Sequence, residues 1–165
     1  GLGVWLVNDR MVAKAEVLVA SGHSLGSYHS LPSLLSKAVK NQTPETPNVL
    51  GIYLLAAVAG DMLDKSIAMI RRETAYKAAL LYHTIDTHPD LEVFAQEQAY
   101  RSQTVIVAQV KGGSGRLIDY LAAKGMVAGA GYGSYKEQHI RIANFPTHSK
   151  EQFEYLADLI GKFKA

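Results

Sequence analysis

The chain has 165 residues, 48% of them hydrophobic and 19% charged, with a formal net charge of +2 and no cysteine. That balance suits one packed domain, or part of a larger one, and excludes a disordered chain. The small net charge gives no warrant for a nucleic-acid or membrane partner. The lack of cysteine excludes disulfides, thiolate metal sites and a cysteine nucleophile within this chain.

The opening GLGVWLV reads as a strand over residues 3–7. It begins without Met, with no basic start or small-residue cleavage site, so no signal peptide is expected. So apolar a beginning leads us to expect a piece of a longer protein. Asp9 can cap a helix over 10–20, which Gly22 can end. Residues 22–30, GHSLGSYHS, read as loop. Ser30 then caps a short helix with Pro32 in its first turn, where proline is tolerated, and Leu31, Leu34, Leu35 and Val39 on its apolar side.

The stretch KNQTPETPNV, residues 40–49, carries two Thr-Pro pairs. Thr46 is expected as an N-cap and Pro47 as the first residue of a helix over about 48–59. That helix is apolar nearly all round and should be buried. Its apolar run is too short to cross a bilayer, which takes about 20 residues. Gly60-Asp61 weakens it, and Asp64 restarts a helix over 65–86 with Ile67, Ile70, Thr74, Leu81 and Ile85 facing inward.

Residues 91–94 and 104–110 read as strands, the second rich in β-branched residues. KGGSG turns the chain into a helix over 116–124 that Ser114 caps. Residues 126–128 read as briefly extended, and Gly129, Gly131 and Gly133 as a flexible loop. A strand follows over 140–145. Ser149 with Gln152 makes a capping box for a last helix lined by Phe153, Leu156, Ile160 and Phe163. The second half is expected to be a small α/β sandwich, one helical layer on an antiparallel sheet.

Most polar clusters have a plain reading. The glycines at 129–133 do not match a dinucleotide fingerprint, because no strand–turn–helix context frames them. GGSG could hold an anion at a helix start, but turn chemistry explains it. The six histidines do not assemble three convergent ligands, so no metal site is expected, and they read as surface or loop residues. Two residues stay open. Arg141 alternates with Ile140 and Ile142, so its guanidinium either lies on the solvated face, or pairs with a local Glu, or awaits a carboxylate or phosphate. Thr43 is either an ordinary loop residue or, with the N–H groups of Gln42 and Thr43, a phosphate holder stiffened by Pro44.

GLGVWLVNDR, KNQTPETPNVLGIYLL and HIRIANFPTHSKEQFEYL, in that order, resemble the C-terminal half of the class V pyridoxal-phosphate aminotransferases, most closely their phosphoserine branch. NQTPETP and RIANFPTH are the most specific parts. The resemblance implies α/β fold type I of the pyridoxal-phosphate-dependent transferases. Residues 1–48 would end the large cofactor domain, and 49–165 would form the interdomain helices and the small C-terminal domain. It implies a cytoplasmic homodimeric enzyme that uses pyridoxal 5'-phosphate to move an amino group between a small amino acid, such as O-phosphoserine or glutamate, and a 2-oxo acid. Gln42 and Thr43 would contact the cofactor phosphate of the other subunit, and Arg141 would bind the substrate carboxylate. No lysine here matches the family's Schiff-base lysine, which lies upstream of the GLGVW-like strand. This chain is therefore expected to hold no catalytic residue and to be inactive alone. The branch's Gly-His-Arg segment reads GYGSYKEQHIR here. Either Lys136 or His139 takes its place in holding a substrate phosphate, or the amino donor differs. The absence of cysteine argues against the related desulfurases. A noncatalytic module acting in protein–protein association is the alternative from another class.

Overall fold

The computed structural model describes residues 1–24, 26 and 28–164. The chain forms two compact units, Gly1–Asp61 and Met62–Ala165. Leu25 and Ser27, in the expected 22–30 loop, lie outside the described residues.

In the first unit, helix α1 (Asp9–Ala20) packs on α2 (Leu31–Ala38). Asn8 rather than Asp9 caps α1, its side chain accepting from the Met11 N–H at 3.0 Å. Residues 3–7 form no strand and are exposed. A strand exists only where a neighbour takes its N–H and C=O groups, and this segment has none among the described residues.

Helix α3 (Val49–Lys65) runs through Gly60 without a break. Its cap is Asn48, whose Oδ1 accepts from the Gly51 N–H at 2.9 Å, not Thr46. Asparagine is the stronger cap, and it places Pro47 outside the helix. The expected burial is overturned as well: none of α3 is buried, and Leu50, Tyr53, Leu54 and Leu55 are exposed.

The second unit is the expected layer of helices on a sheet. Helix α4 (Ile67–Asp86) begins at Ser66, two residues later than Asp64 suggested. Strands β1 (Leu91–Val93), β2 (Val105–Val110), β3 (Gly129–Ala130) and β4 (His139–Ala143) pair antiparallel in the order β1-β2-β4-β3. Helices α5 (Gly115–Ala123) and α6 (Lys150–Lys162) complete the unit. Period-2 alternation turns Ile106, Ala108, Val110, Ile140 and Ile142 into the core, where they meet Leu81 and Ile85 of α4, Leu117 and Leu121 of α5, and Phe153, Leu156 and Ile160 of α6. Ile67, assigned to the inner stripe of α4, is 41% exposed.

The expected extended piece at 126–128 is displaced to β3. Gly125, at φ +78°, closes α5: its N–H donates to the Ala122 carbonyl, and the Met126 N–H to that of Leu121. This left-handed helix ending consumes Met126, so pairing begins only at Gly129. The capping box at Ser149 and Gln152 forms as expected.

Candidate functional site

Arg141 lies in the middle of β4, on the sheet face turned away from the core. There it stands in register between Val107 of β2 and Gly129 of β3. Its Nε–H donates to the Ala130 carbonyl. The guanidinium carbon sits 3.7 Å from the centre of the Tyr132 ring, a close cation–π stack. Gly129 leaves the room for this, since a Cβ there would come 3.2 Å from Nη2 of Arg141. Among the described residues no carboxylate pairs with Arg141, and its two terminal nitrogens have no hydrogen-bond partner. Of the plain readings, pairing with a local Glu does not form among the described residues, while a place on the sheet face turned from the core, half-buried, is what the strand gives.

His139 shares this face, two residues along β4. The residue is 4% exposed, and its ring lies nearly parallel to that of Tyr135, centroids 4.7 Å apart, with the Phe94 ring at 5.0 Å. The reading of all histidines as surface or loop residues therefore fails at His139. His88 is a loop residue as read, but a buried one, its Nε2 3.0 Å from the Phe163 carbonyl oxygen. Lys136 ends the short 3-10 turn Gly133–Tyr135 and is exposed. The loop before β4, expected to be flexible from its glycines, folds back tightly on itself. A Cβ on Gly131 would stand 2.2 Å from the Tyr135 carbonyl oxygen, so the backbone doubles back too closely for any side chain.

Gln42 and Thr43 belong to the first unit, and both are exposed. The Gln42 N–H, expected to be available to an anion, donates instead to the Lys37 carbonyl at the end of α2, at 3.0 Å. The Thr43 hydroxyl donates to the Glu45 carbonyl at 2.5 Å, while the Thr43 N–H has no partner among the described residues. The Glu45 carboxylate beside Tyr28 pushes that phenol above its ordinary pKa, by hydrogen bonding first and charge second. The loop thus offers an anion the Thr43 N–H, the Gln42 carboxamide and, if it turns away from Glu45, the Thr43 hydroxyl. That donor set fits a phosphate group.

GGSG is a turn. The N–H and hydroxyl of buried Ser114 both donate to the Glu137 carbonyl, at 2.8 and 3.3 Å. Among the described residues no three His, Asp or Glu side chains are grouped to hold a metal ion. No helix among them is long and apolar enough to cross a membrane.

The family described as aminotransferase class-V matches residues 1–143. The chain belongs to the class V aminotransferases, enzymes of pyridoxal-phosphate fold type I. Within that family it is similar to a phosphoserine aminotransferase of Cytophaga hutchinsonii whose structure is solved. The two are 43% identical with a TM-score of 0.91, over 96% of this chain and 44% of that one. A phosphoserine aminotransferase from a Nocardioides species is 25% identical over 163 residues, 94% of this chain and 42% of its own length. An aspartate aminotransferase of Thermus thermophilus shares the fold at 19% identity, with a TM-score of 0.72 over 85% of this chain and 39% of that one. The chain spans less than half the length of these relatives.

Proposed function

We propose that this chain supplies the carboxylate-binding arm and a cofactor-phosphate loop of a homodimeric, cytoplasmic aminotransferase. The whole enzyme would move an amino group between an amino acid and a 2-oxo acid. The observation that carries the reading is Arg141, a half-buried guanidinium on a strand with its two terminal nitrogens unpaired among the described residues. Such a fork matches a carboxylate, and leaving it unpaired has a cost that a bound substrate removes.

Pyridoxal phosphate, when bound, supplies the electron sink for the substrate carbon. Gln42 and Thr43 would hold its phosphate across the dimer, and Arg141 would fix the orientation of the substrate carboxylate. Residues 1–48 would belong to the cofactor domain and 49–165 to the interdomain helices and small domain. The similarity to phosphoserine aminotransferases supports O-phosphoserine as donor, with glutamate as its counterpart. Of the two side chains expected to hold a substrate phosphate, Lys136 is open to solvent, while the ring of His139 is enclosed by Tyr135 and Phe94.

The test is Arg141→Ala in the full-length protein. KM for the amino donor and for the 2-oxo acid is expected to rise roughly 30- to 1,000-fold, the loss of one charge-assisted pair. An unchanged KM for both removes Arg141 from the site and the reading with it.

A further inference from the structure

Resting on that reading, we propose that Tyr132 is a positioning residue for Arg141. With the Ala130 carbonyl and the bare Cα of Gly129, it sets the guanidinium so that only its terminal edge can meet a carboxylate.

An arginine offers a carboxylate two bidentate approaches, each a pair of parallel hydrogen bonds. One uses Nε and a terminal nitrogen; the other uses both terminal nitrogens. Here the first is closed, because Nε–H already donates to the Ala130 carbonyl. The second is open, since neither terminal nitrogen has a partner among the described residues. One face of the plane is covered by Tyr132, 3.7 Å from ring centroid to guanidinium carbon. Tyr132 is itself 73% exposed, so it is not held there as part of the core. Gly129 stands beside Arg141 in register, and a Cβ there would press on Nη2 at 3.2 Å. The three contacts fix the depth, tilt and rotation of the group before substrate arrives. A free arginine side chain would lose rotamer freedom on binding, and a preset one has lost it already.

The test uses the full-length protein with its cofactor. It reads KM and kcat for the amino donor, and competitive inhibition by propionate, an unreactive carboxylate. Tyr132→Ala is expected to raise KM and the propionate inhibition constant together by about 3- to 30-fold, with kcat nearly unchanged. Tyr132→Phe keeps the stacking ring and is expected to behave like the native protein. Gly129→Ala, which pushes the guanidinium off its seat, is expected to reproduce Tyr132→Ala.

The proposal is overturned if Tyr132→Ala leaves both constants unchanged while Arg141→Ala raises them; the carboxylate role of Arg141 then still stands. It is overturned also if Tyr132→Phe is as damaging as Tyr132→Ala, because the hydroxyl and not the ring face would then be acting. If Arg141→Ala itself changes nothing, the functional reading has failed first.

Discussion

Lys77 shows how far a single residue can depart from its sequence pattern. It lies on the buried stripe of α4, three residues after Thr74 and four before Leu81, and is 1% exposed. Its Nζ donates to the carbonyls of Phe145 and His148, at 3.0 and 2.7 Å, and sits 4.9 Å from the centre of the Phe153 ring. The helical period marks the position as inward. The residue type says solvent, because its acceptors lie 68 and 71 residues away. No local pattern reports such a partner. Lys77→Met should cost about 1–3 kcal/mol in chemical denaturation, since two inward carbonyls lose their donor. Burial lowers the pKa of Lys77 below the ordinary lysine value of 10.5, while Glu73 opposes the shift. Between the lowered value and 10.5 the unfolded lysine binds more protons than the folded one. Stability from this group therefore rises as pH climbs through that window. Native protein should show this rise relative to Lys77→Met; parallel pH profiles would mean that Lys77 is not desolvated.

At the scale of elements, start signals were legible to within a residue or two where a polar cap precedes an apolar period. The capping box of α6 is the clearest case. They failed where two candidates compete, as Thr46 with Asn48 and Asp64 with Ser66. The winner is the residue whose side chain reaches the N–H three positions on, and spacing alone does not choose between them. Ser66 adds a backbone feature that no pattern reveals, a φ of +67°. It separates two contributions. Ser66→Ala removes the cap oxygen and keeps the strain, and should destabilise by about 1 kcal/mol. Ser66→Gly removes the cap but relieves the left-handed backbone, and should fall within about 0.5 kcal/mol of native. Equal losses for the two would show that the strain is negligible. The arm carrying Arg141 was legible because strand alternation is strict. Its Tyr132 and Gly129 contacts were hidden in a loop whose tightness depends on a carbonyl four residues away, that of Tyr135 against Gly131.

For the molecule as a whole, composition indicated a packed core, and the order of elements gave one helical layer on an antiparallel sheet. Composition could not say which apolar helix that core would use. α3, the most apolar of them, contributes no buried residue, and Trp5, Leu6 and Val58 are exposed as well. Apolar surface on this scale drives association. In gel filtration the isolated chain should elute as higher oligomers or be lost to precipitation. A monodisperse monomer would favour an autonomous module over a portion of an enzyme.

The sheet decides what form such association takes. Its two edges are β1, three residues long, and β3, two residues long. An incoming chain finds on either edge only a few unpaired backbone groups, too few to template continued strand addition. Clumping should therefore proceed through side chains on helix faces. The precipitate should be amorphous, dissolve in mild detergent and leave thioflavin T dark.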